Sequence, residues 1–531
     1  MKDCMHYLRQ NVVAEPLVRQ WYAWPYLISP ATNAMSIANL HVPLMKSFVS
    51  APQLHSDAVN KRRLLGGRFI GYDKSRVEHV KSLLDETVVQ NMNLINLADD
   101  IRTLEGTVRT EAVGFSMEKL YEKVPDGLKG YVELVYDLNN NPSIRFIEPL
   151  LYKSQYYDVS SQSLLLSKIS NDERPFSLGT PRLINDEQLH LKMPFNSAAL
   201  DELFSMKTVP QTFDRVMDML KLSSEQADSV LPYLTKSAPR CTKRYEGRGV
   251  RLRYFGHACV LIETSEVSVM IDPVISYSYP NGISRYTYED LPEVIDYVLI
   301  THNHQDHCML ETLLQLRHKV QNIVVPRNGG GFLQDPSLRL MFQNIGFSNV
   351  IEMSELDEIP VPGGVIVGIP FLGEHSDLDI QSRVAYLIKL HGTSMLFAAD
   401  SRNLESRLYE HLHRIYGEID MLFLGMECSG APLSWLYGPL MTKTIERQMD
   451  QSRRLNGSDY ARAIDIVERI KAKTVYVYAL GQEPWLNYVM SIYYDANSPP
   501  IVESNKLIED CERRGLNAER LFAQKEIHLM Q

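Results

Sequence analysis

The stretch Asp296-Tyr297-Val298-Leu299-Ile300-Thr301-His302-Asn303-His304-Gln305-Asp306-His307 decides the reading of the chain. Its apolar run predicts a strand. The three imidazoles and the carboxylate that follow, crowded into six positions, predict a metal-binding loop. Period-two alternation sends His302 and His304 the same way, while Asp306 and His307 on the next turn reach a second position beside the first. Such a loop has room for two metals. A polar turn that was histidine-rich by chance would have to gather three of the chain's fifteen histidines in one place.

Four other segments belong with this loop: Gly256-His257-Ala258 and Met270-Ile271-Asp272-Pro273 upstream, Gly373-Glu374-His375-Ser376-Asp377 and Phe397-Ala398-Ala399-Asp400-Ser401 downstream. Together with the HxHxDH spacing they resemble the signature of the metallo-β-lactamase fold. The resemblance implies an α/β architecture, a four-layer αββα sandwich. It leaves the activity open, because the same scaffold serves hydrolases, flavodiiron proteins and oxygenases.

With 531 residues the chain is too long for one core, which predicts two domains. The composition, 44% hydrophobic and 23% charged, is that of a globular protein and excludes disordered and fibrous classes. A net charge of −10 argues against nucleic acid as a partner, since phosphate binding needs clustered Lys and Arg. The six cysteines (Cys4, Cys241, Cys259, Cys308, Cys428, Cys511) form no CxxC pair, so neither a disulfide framework nor a zinc finger is indicated. Met1 to Gln10 is polar with no apolar core after it, and no stretch reaches membrane-spanning length. A soluble, cytoplasmic protein is expected, with no membrane partner.

Residues 1–245 read as a mixed α/β N-terminal domain. Trp21-Tyr22-Ala23-Trp24-Pro25-Tyr26 suits a core or interface plug better than a ligand-stacking platform. Residues 76–104 carry helical periodicity, and 130–136 with 143–147 flank Asp137-Leu138-Asn139-Asn140-Asn141 as a hairpin. The charged, Pro- and Gly-containing stretch 236–248 suits a linker. Residues 246–531 then read as the catalytic domain. Its short β-like runs are 250–254, 259–264, 267–271, 298–301, 322–325, 365–369, 384–390 and 394–398, with helical segments at 309–317 and 404–415.

In two-zinc hydrolases of this fold the resemblance implies a histidine near Glu374, a bridging aspartate like Asp400, and a late histidine. The chain departs from that twice. No histidine occurs between His413 and His528, and the late strand reads Thr474-Val475-Tyr476-Val477-Tyr478-Ala479-Leu480-Gly481. At Gly373-Glu374-His375 either neighbour is a candidate ligand: His375 suits zinc hydrolysis, and Glu374 suits iron that must open a position for dioxygen.

Long stretches resemble the diiron β-hydroxylases of nonribosomal peptide biosynthesis. They include Arg145-Phe146-Ile147-Glu148-Pro149-Leu150, Ser434-Trp435-Leu436-Tyr437-Gly438-Pro439-Leu440, Asp450 to Gly457, and Tyr476-Val477-Tyr478-Ala479 followed by Glu483-Pro484-Trp485. The resemblance implies His302, His304 and Glu374 as ligands of one iron, Asp306 and His307 of the other, and Asp400 as the bridge. His375 then stands behind the ligands, and His257 supports the loop from the neighbouring strand. Glu427, after the apolar run Met421 to Met426, is a candidate catalytic residue together with Glu374 and Asp400. Cys308 reads as an inert buried thiol.

The implied activity is a non-haem diiron monooxygenase that β-hydroxylates an aminoacyl group held as a thioester on a peptidyl carrier domain of a nonribosomal peptide synthetase. O2 is the co-substrate. An electron-donating reductase is implied as an external partner, since nothing resembles a flavin or NAD motif, and the N-terminal domain is implied in homodimer formation and carrier recognition. Lys61-Arg62-Arg63 and Lys243-Arg244 are candidate carrier contacts, set against the reading of plain solvated charge. The alternative activity is a zinc-dependent hydrolase of a thioester or phosphodiester. The amino acid itself, its stereochemistry and the pathway have no signature in the residues.

Overall fold

The computed structural model describes residues 5–185 and 187–529; residues 1–4, Cys4 among them, lie outside. Two seven-stranded sheets face each other in the second half of the chain. The first runs Val350–Met353, Val320–Pro326, Ile295–Leu299, Ser268–Ile271, Cys259–Glu263, Val250–Gly256, Lys525–Leu529 in spatial order. The second runs Glu358–Val361, Gly364–Ile369, Ala385–Leu390, Thr393–Phe397, Met421–Gly425, Thr474–Tyr478, Asn517–Arg520.

Alternation sorts each strand between two environments. Val260 and Ile262 point between the sheets, where Ile366, Tyr386, Ile388, Phe397 and Phe423 meet them, while Cys259 and Leu261 point outward. On the second sheet Val367 and Leu387 face the helices Arg407–Tyr416, Tyr460–Ile470 and Pro499–Arg513. Helices Leu310–Leu316 and Leu338–Asn344 cover the other side, and there the N-terminal residues join the same buried cluster. This is the αββα sandwich expected from the sequence. Among the described residues, no helix is long and apolar enough to cross a membrane.

The N-terminal elements are smaller: a four-stranded sheet built on Val12–Val18 and Gln162–Lys168, a three-stranded sheet, a hairpin and several helices. The hairpin forms as predicted, from Val132–Tyr136 and Pro142–Phe146. Its loop is pinned by Asp137 Oδ1, which accepts the amides of Asn139 and Asn141, both at 2.8 Å. The periodic stretch 76–104 is two helices, Val77–Gln90 and Met92–Glu111. Asn91 breaks it: its buried amide side chain bonds back to the Thr87 carbonyl at 2.7 Å and its φ is −121°.

The strands without a sequence signal lie at or beside sheet edges. Asn517–Arg520 and Lys525–Leu529 carry Glu519, Arg520, Lys525, Glu526 and His528, because edges tolerate charge and lack a buried stripe on both faces. The predicted strand over 298–301 ends early, at Leu299. There the backbone crosses from one sheet to the other: Ile300 N–H still donates to Val324 in the first sheet, whereas the Thr301 carbonyl accepts from Val384 in the second. The crossing places the histidine loop between the sheets.

Buried ionic contacts join the two halves. Arg174 donates to Glu15 (2.7 Å) and Glu311 (2.6 Å), Arg182 donates to Glu15 (2.8 Å), and Tyr22 and Tyr277 donate to Glu311. Burial opposes a charged Glu15, but the two guanidiniums outweigh it and bring its pKa down to about 2. Lys207 has no such company. It is fully buried between the rings of Tyr277 and Tyr288, its Nζ has no protein hydrogen-bond partner among the described residues, and burial lowers its pKa from 10.5 to about 7, against the opposing pull of Glu289 and Glu311.

Because the unfolded chain holds the Lys207 proton up to pH 10.5 and the folded chain releases it near 7, this residue makes stability rise with pH across that window. Lys207→Met is expected to raise the melting temperature at pH 7 by a few degrees, from about 1–3 kcal/mol of relieved desolvation. It should also flatten the slope between pH 7 and 10.5, read by thermal unfolding across that range.

Candidate metal centre

The site lies at the C-terminal ends of strands from both sheets, where loops are free to converge. Asp272, directly after Ser268–Ile271, is fully buried and in the left-handed region at φ 39°. Its Oδ1 accepts the Thr301 amide (2.8 Å), and its Oδ2 accepts the Thr301 hydroxyl (2.7 Å) and His307 Nδ1 (2.7 Å). Having donated its only proton to Asp272, the Thr301 hydroxyl must accept from His302 Nδ1, 3.0 Å away. Both imidazoles are thereby engaged through Nδ1, which leaves Nε2 of each for the centre. One carboxylate fixes two tautomers.

His302, His304 and Glu374 form one group whose ligand atoms lie within 4.8 Å of one another. His304 Nδ1 is 2.7 Å from Glu374 Oε1, and its Nε2 shares a 2.8 Å hydrogen bond with the Tyr437 hydroxyl. His302, His307 and Asp400 form a second such group, and His257, Asp306 and His307 a third. His307 Nε2 is 3.2 Å from Asp400, and His257 Nε2 is 3.0 Å from Asp306. His302 and His307 each stand in two groups, which is the geometry of adjoining metal positions.

Local backbone makes this possible at some cost. Gly373, Glu374, Ser376 and Asp377 all have positive φ, three of them without the freedom of glycine, at roughly 1 kcal/mol or more each. A Cβ on Gly373 would lie 2.4 Å from Arg402 Cβ. Gly425, at the end of its strand, is equally constrained, since a Cβ there would stand 2.4 Å from Asp400 Oδ1.

The electrostatics describe a site built for cations. Burial lowers the pKa of His302, and the neighbouring imidazoles lower it further. For His307 burial acts the same way, but Asp400, Asp306 and Asp272 outweigh it and raise the pKa well above the usual value. Asp306 is held low by His307 and His257 against burial, whereas burial wins at Glu374 and raises it. His302 Nε2, Glu374 Oε2 and Asp400 Oδ1 are buried with no hydrogen-bond partner among the described residues. Three imidazoles and three carboxylates make a nitrogen–oxygen donor set that suits iron.

All six residues expected as ligands are thus together. His375 is fully buried and stacked on His304 at 4.7 Å, with Nδ1 3.0 Å from Glu374, so it is placed behind the ligand groups. Glu427 lines the cavity beside Asp400; burial and the Asp400 charge push its pKa up to about 7, its Oε1 accepts from the Ser429 amide, and its Oε2 has no partner. At the end of the late strand Ala479 presents a methyl group to the cavity. Cys308 is buried, and burial raises its thiol well above the usual range.

Sequence reasoning did not find Tyr437 or the role of Asp272. A lone aspartate ending an apolar run was the available signal for Asp272; Tyr437 had none. The aromatic opening also acts here. Tyr26 is buried 6.3 Å from Tyr437 between ring centroids, and Trp24 packs on Tyr26 at 4.6 Å. The plug from the N-terminal half thus backs the residue that holds His304.

The cavity above the ligands has a volume of about 410 Å³, with Leu178, Trp435, Leu436 and Leu455 among its walls. Trp435 is fixed by its Nε1–H donating to the Gly66 carbonyl at 2.7 Å.

Fold and site together define a metallo-β-lactamase-fold protein with a dinuclear centre. A family model described as the diiron non-heme beta-hydroxylase N-terminal domain matches residues 7–239, and one described as the beta-lactamase superfamily domain matches 251–423. The chain is 38% identical, over 98% of its length and 99% of the relative's, to the 4-amino-L-phenylalanyl-[CmlP-peptidyl-carrier-protein] 3-hydroxylase of Streptomyces venezuelae. The crystal structure of CmlA, a diiron beta-hydroxylase from Streptomyces venezuelae, superposes with a TM-score of 0.93 at 37% identity, covering 99% of this chain and 100% of that one. A metal-dependent hydrolase of Ignicoccus hospitalis is 30% identical over 29% of this chain and 62% of its own length. The chain belongs to the diiron non-haem β-hydroxylase family.

Asp272→Asn keeps the size of the side chain but removes the charge that orders Thr301, His302 and His307. Metal affinity is expected to fall roughly 10–100-fold, measured by titrating metal-free protein with Co²⁺ and following its visible absorption. Tyr437→Phe should weaken affinity less, because it frees only one imidazole nitrogen.

Proposed function

We infer that the protein is an O2-dependent diiron monooxygenase that hydroxylates the β-carbon of an aminoacyl group carried as a thioester on a peptidyl carrier domain. The observation that carries this is the placement of His302, His304, Asp306, His307, Glu374 and Asp400 around two adjoining positions at the floor of one cavity, in a chain similar end to end to a carrier-dependent 3-hydroxylase. His302, His304 and Glu374 would hold one iron and Asp306 and His307 the other, with Asp400 as the ligand common to both. When bound, the iron pair supplies the activation of O2 and the redox chemistry. An external reductase supplies electrons.

The chain's own residues prepare the reaction. Thr301 and Asp272 hold the imidazole tautomers in advance, so little reorganisation is needed on metal loading. The apolar walls contributed by Leu178, Leu436 and Leu455 exclude water from the reacting carbon and give an aminoacyl side chain a surface to pack against. Glu427, a cavity residue with a pKa near neutrality and an Oε2 that has no hydrogen-bond partner among the described residues, is suited to hold a proton and release it. Residues 1–245 are assigned to dimer formation and carrier recognition and 246–531 to catalysis. The setting is the cytoplasm.

Protein purified without added metal is expected to contain about two irons per chain. After reduction and exposure to O2 with aminoacyl-loaded carrier domain, the product should be heavier by one oxygen atom. His302→Ala and Asp400→Ala should lose iron and turnover together. Two zincs, no O2 consumption and hydrolysis of the loaded thioester would instead establish the hydrolase.

A further inference from the structure

The cavity has an outer end as well as a floor, and two loops make it. Leu65 and Gly66 form one side; Ser491, Ile492 and Tyr493 form the other. The loops are tied across the opening. The Gly66 amide donates to Ser491 Oγ at 2.8 Å, Arg62 donates to Asp495 at 2.7 Å, and the Arg62 guanidinium sits 4.6 Å above the Tyr493 ring.

Arg62 is the middle member of Lys61-Arg62-Arg63, three consecutive exposed cations on the loop that continues into the cavity wall. Arg62 is committed to the tie. Lys61 and Arg63 have no carboxylate partner among the described residues, so their charge is available to a ligand at the opening. A largely apolar cavity, with unpaired cations on the loop that continues into its wall at Leu65 and Gly66 and the His, Asp and Glu cluster at its floor, fits an elongated ligand with an anionic group at one end and its reacting group at the other. The arm of a carrier domain has that chemistry: a phosphodiester at its root, then an uncharged pantetheine chain, then the thioester.

Resting on the carrier-dependent reading above, we propose that Lys61 and Arg63 seat the phosphodiester of the phosphopantetheine arm, and that the arm enters between the loops at 61–66 and 491–495. The two cations act on capture of the arm and not on the chemistry at its far end. Arg62, committed to Asp495 and the Tyr493 ring, ties together the two loops between which the arm passes. The other basic run, Lys243-Arg244, is excluded by its surroundings, since Arg244 is held by Asp296 beside the first strands of the sandwich.

The test is equilibrium binding, without turnover, of two amide-linked analogues, aminoacyl phosphopantetheine and aminoacyl pantetheine lacking the phosphate, to iron-loaded protein. Wild type is expected to bind the phosphorylated analogue roughly three- to tenfold more tightly, the range that two exposed cations supply, with the difference shrinking as salt is added. The double variant K61A/R63A should bind both analogues equally, at the level of the unphosphorylated one. K61R/R63K should restore the preference, and K243A/R244A should leave it untouched.

A wild type indifferent to the phosphate, or a double variant that keeps the preference, would overturn the proposal. So would a double variant impaired only toward carrier domain stripped of its arm, which would assign the two cations to the carrier's protein surface. Hydroxylation of the loaded carrier is measured separately, so a failure of the monooxygenase reading shows in that assay while the phosphate preference is still read by binding.

Discussion

The contact on which the centre depends is that between the Asp272 carboxylate and the Thr301-to-His307 loop. A buried carboxylate without partners is costly; here it accepts an amide, a hydroxyl and an imidazole N–H, and each bond places a group the site needs. The loop has left its strand at Leu299 and has no ladder of its own. Asp272 joins the Val384 amide and the short bridge between His302 and Arg383 in holding it.

Around that contact the site draws on both sheets and on the N-terminal half. The first sheet supplies Asp272 and the histidine loop; the second supplies Asp400 and Glu427 from the ends of neighbouring parallel strands, with Glu374 on the loop that follows Gly364–Ile369. The Arg174, Arg182, Glu15 and Glu311 cluster binds the halves through largely buried charges. Tyr26, Tyr437 and His304 then form a line of contact from the aromatic plug to the histidine cluster. The N-terminal half is in this sense part of the metal centre's support.

Two features around the cavity floor have a common physical sense. Glu374 brings the negative charge and two oxygens of a carboxylate to within 2.7 Å of His304, and the late strand ends beside the cavity at Ala479, whose side chain has no donor group. Both suit an iron pair that must admit dioxygen. The cavity above them is walled by Trp435, which is bonded to Gly66, and by the loops at 61–66 and 491–495 that meet at its outer end.

The sequence by itself determined the fold class and singled out the six residues, His302, His304, Asp306, His307, Glu374 and Asp400, that the structure gathers in one place. Metal ligation demands particular side chains at short spacing, and buried strands demand alternating apolar residues; both signals are local. His302, His304, Asp306 and His307 were legible because they share one loop, and Glu374 and Asp400 because they sit in recognisable segments. Less legible were elements whose cause lies elsewhere in the chain: the helix break at Asn91, and the charged edge strands near residues 517–529. Only the tertiary structure decided that Asp272 orients two imidazoles, that Tyr437 backed by Tyr26 holds a third, and that the loops at 61–66 and 491–495 meet over the cavity. Each of these is a contact between residues tens to hundreds of positions apart, and no local pattern encodes the partner of a side chain that packing alone brings near.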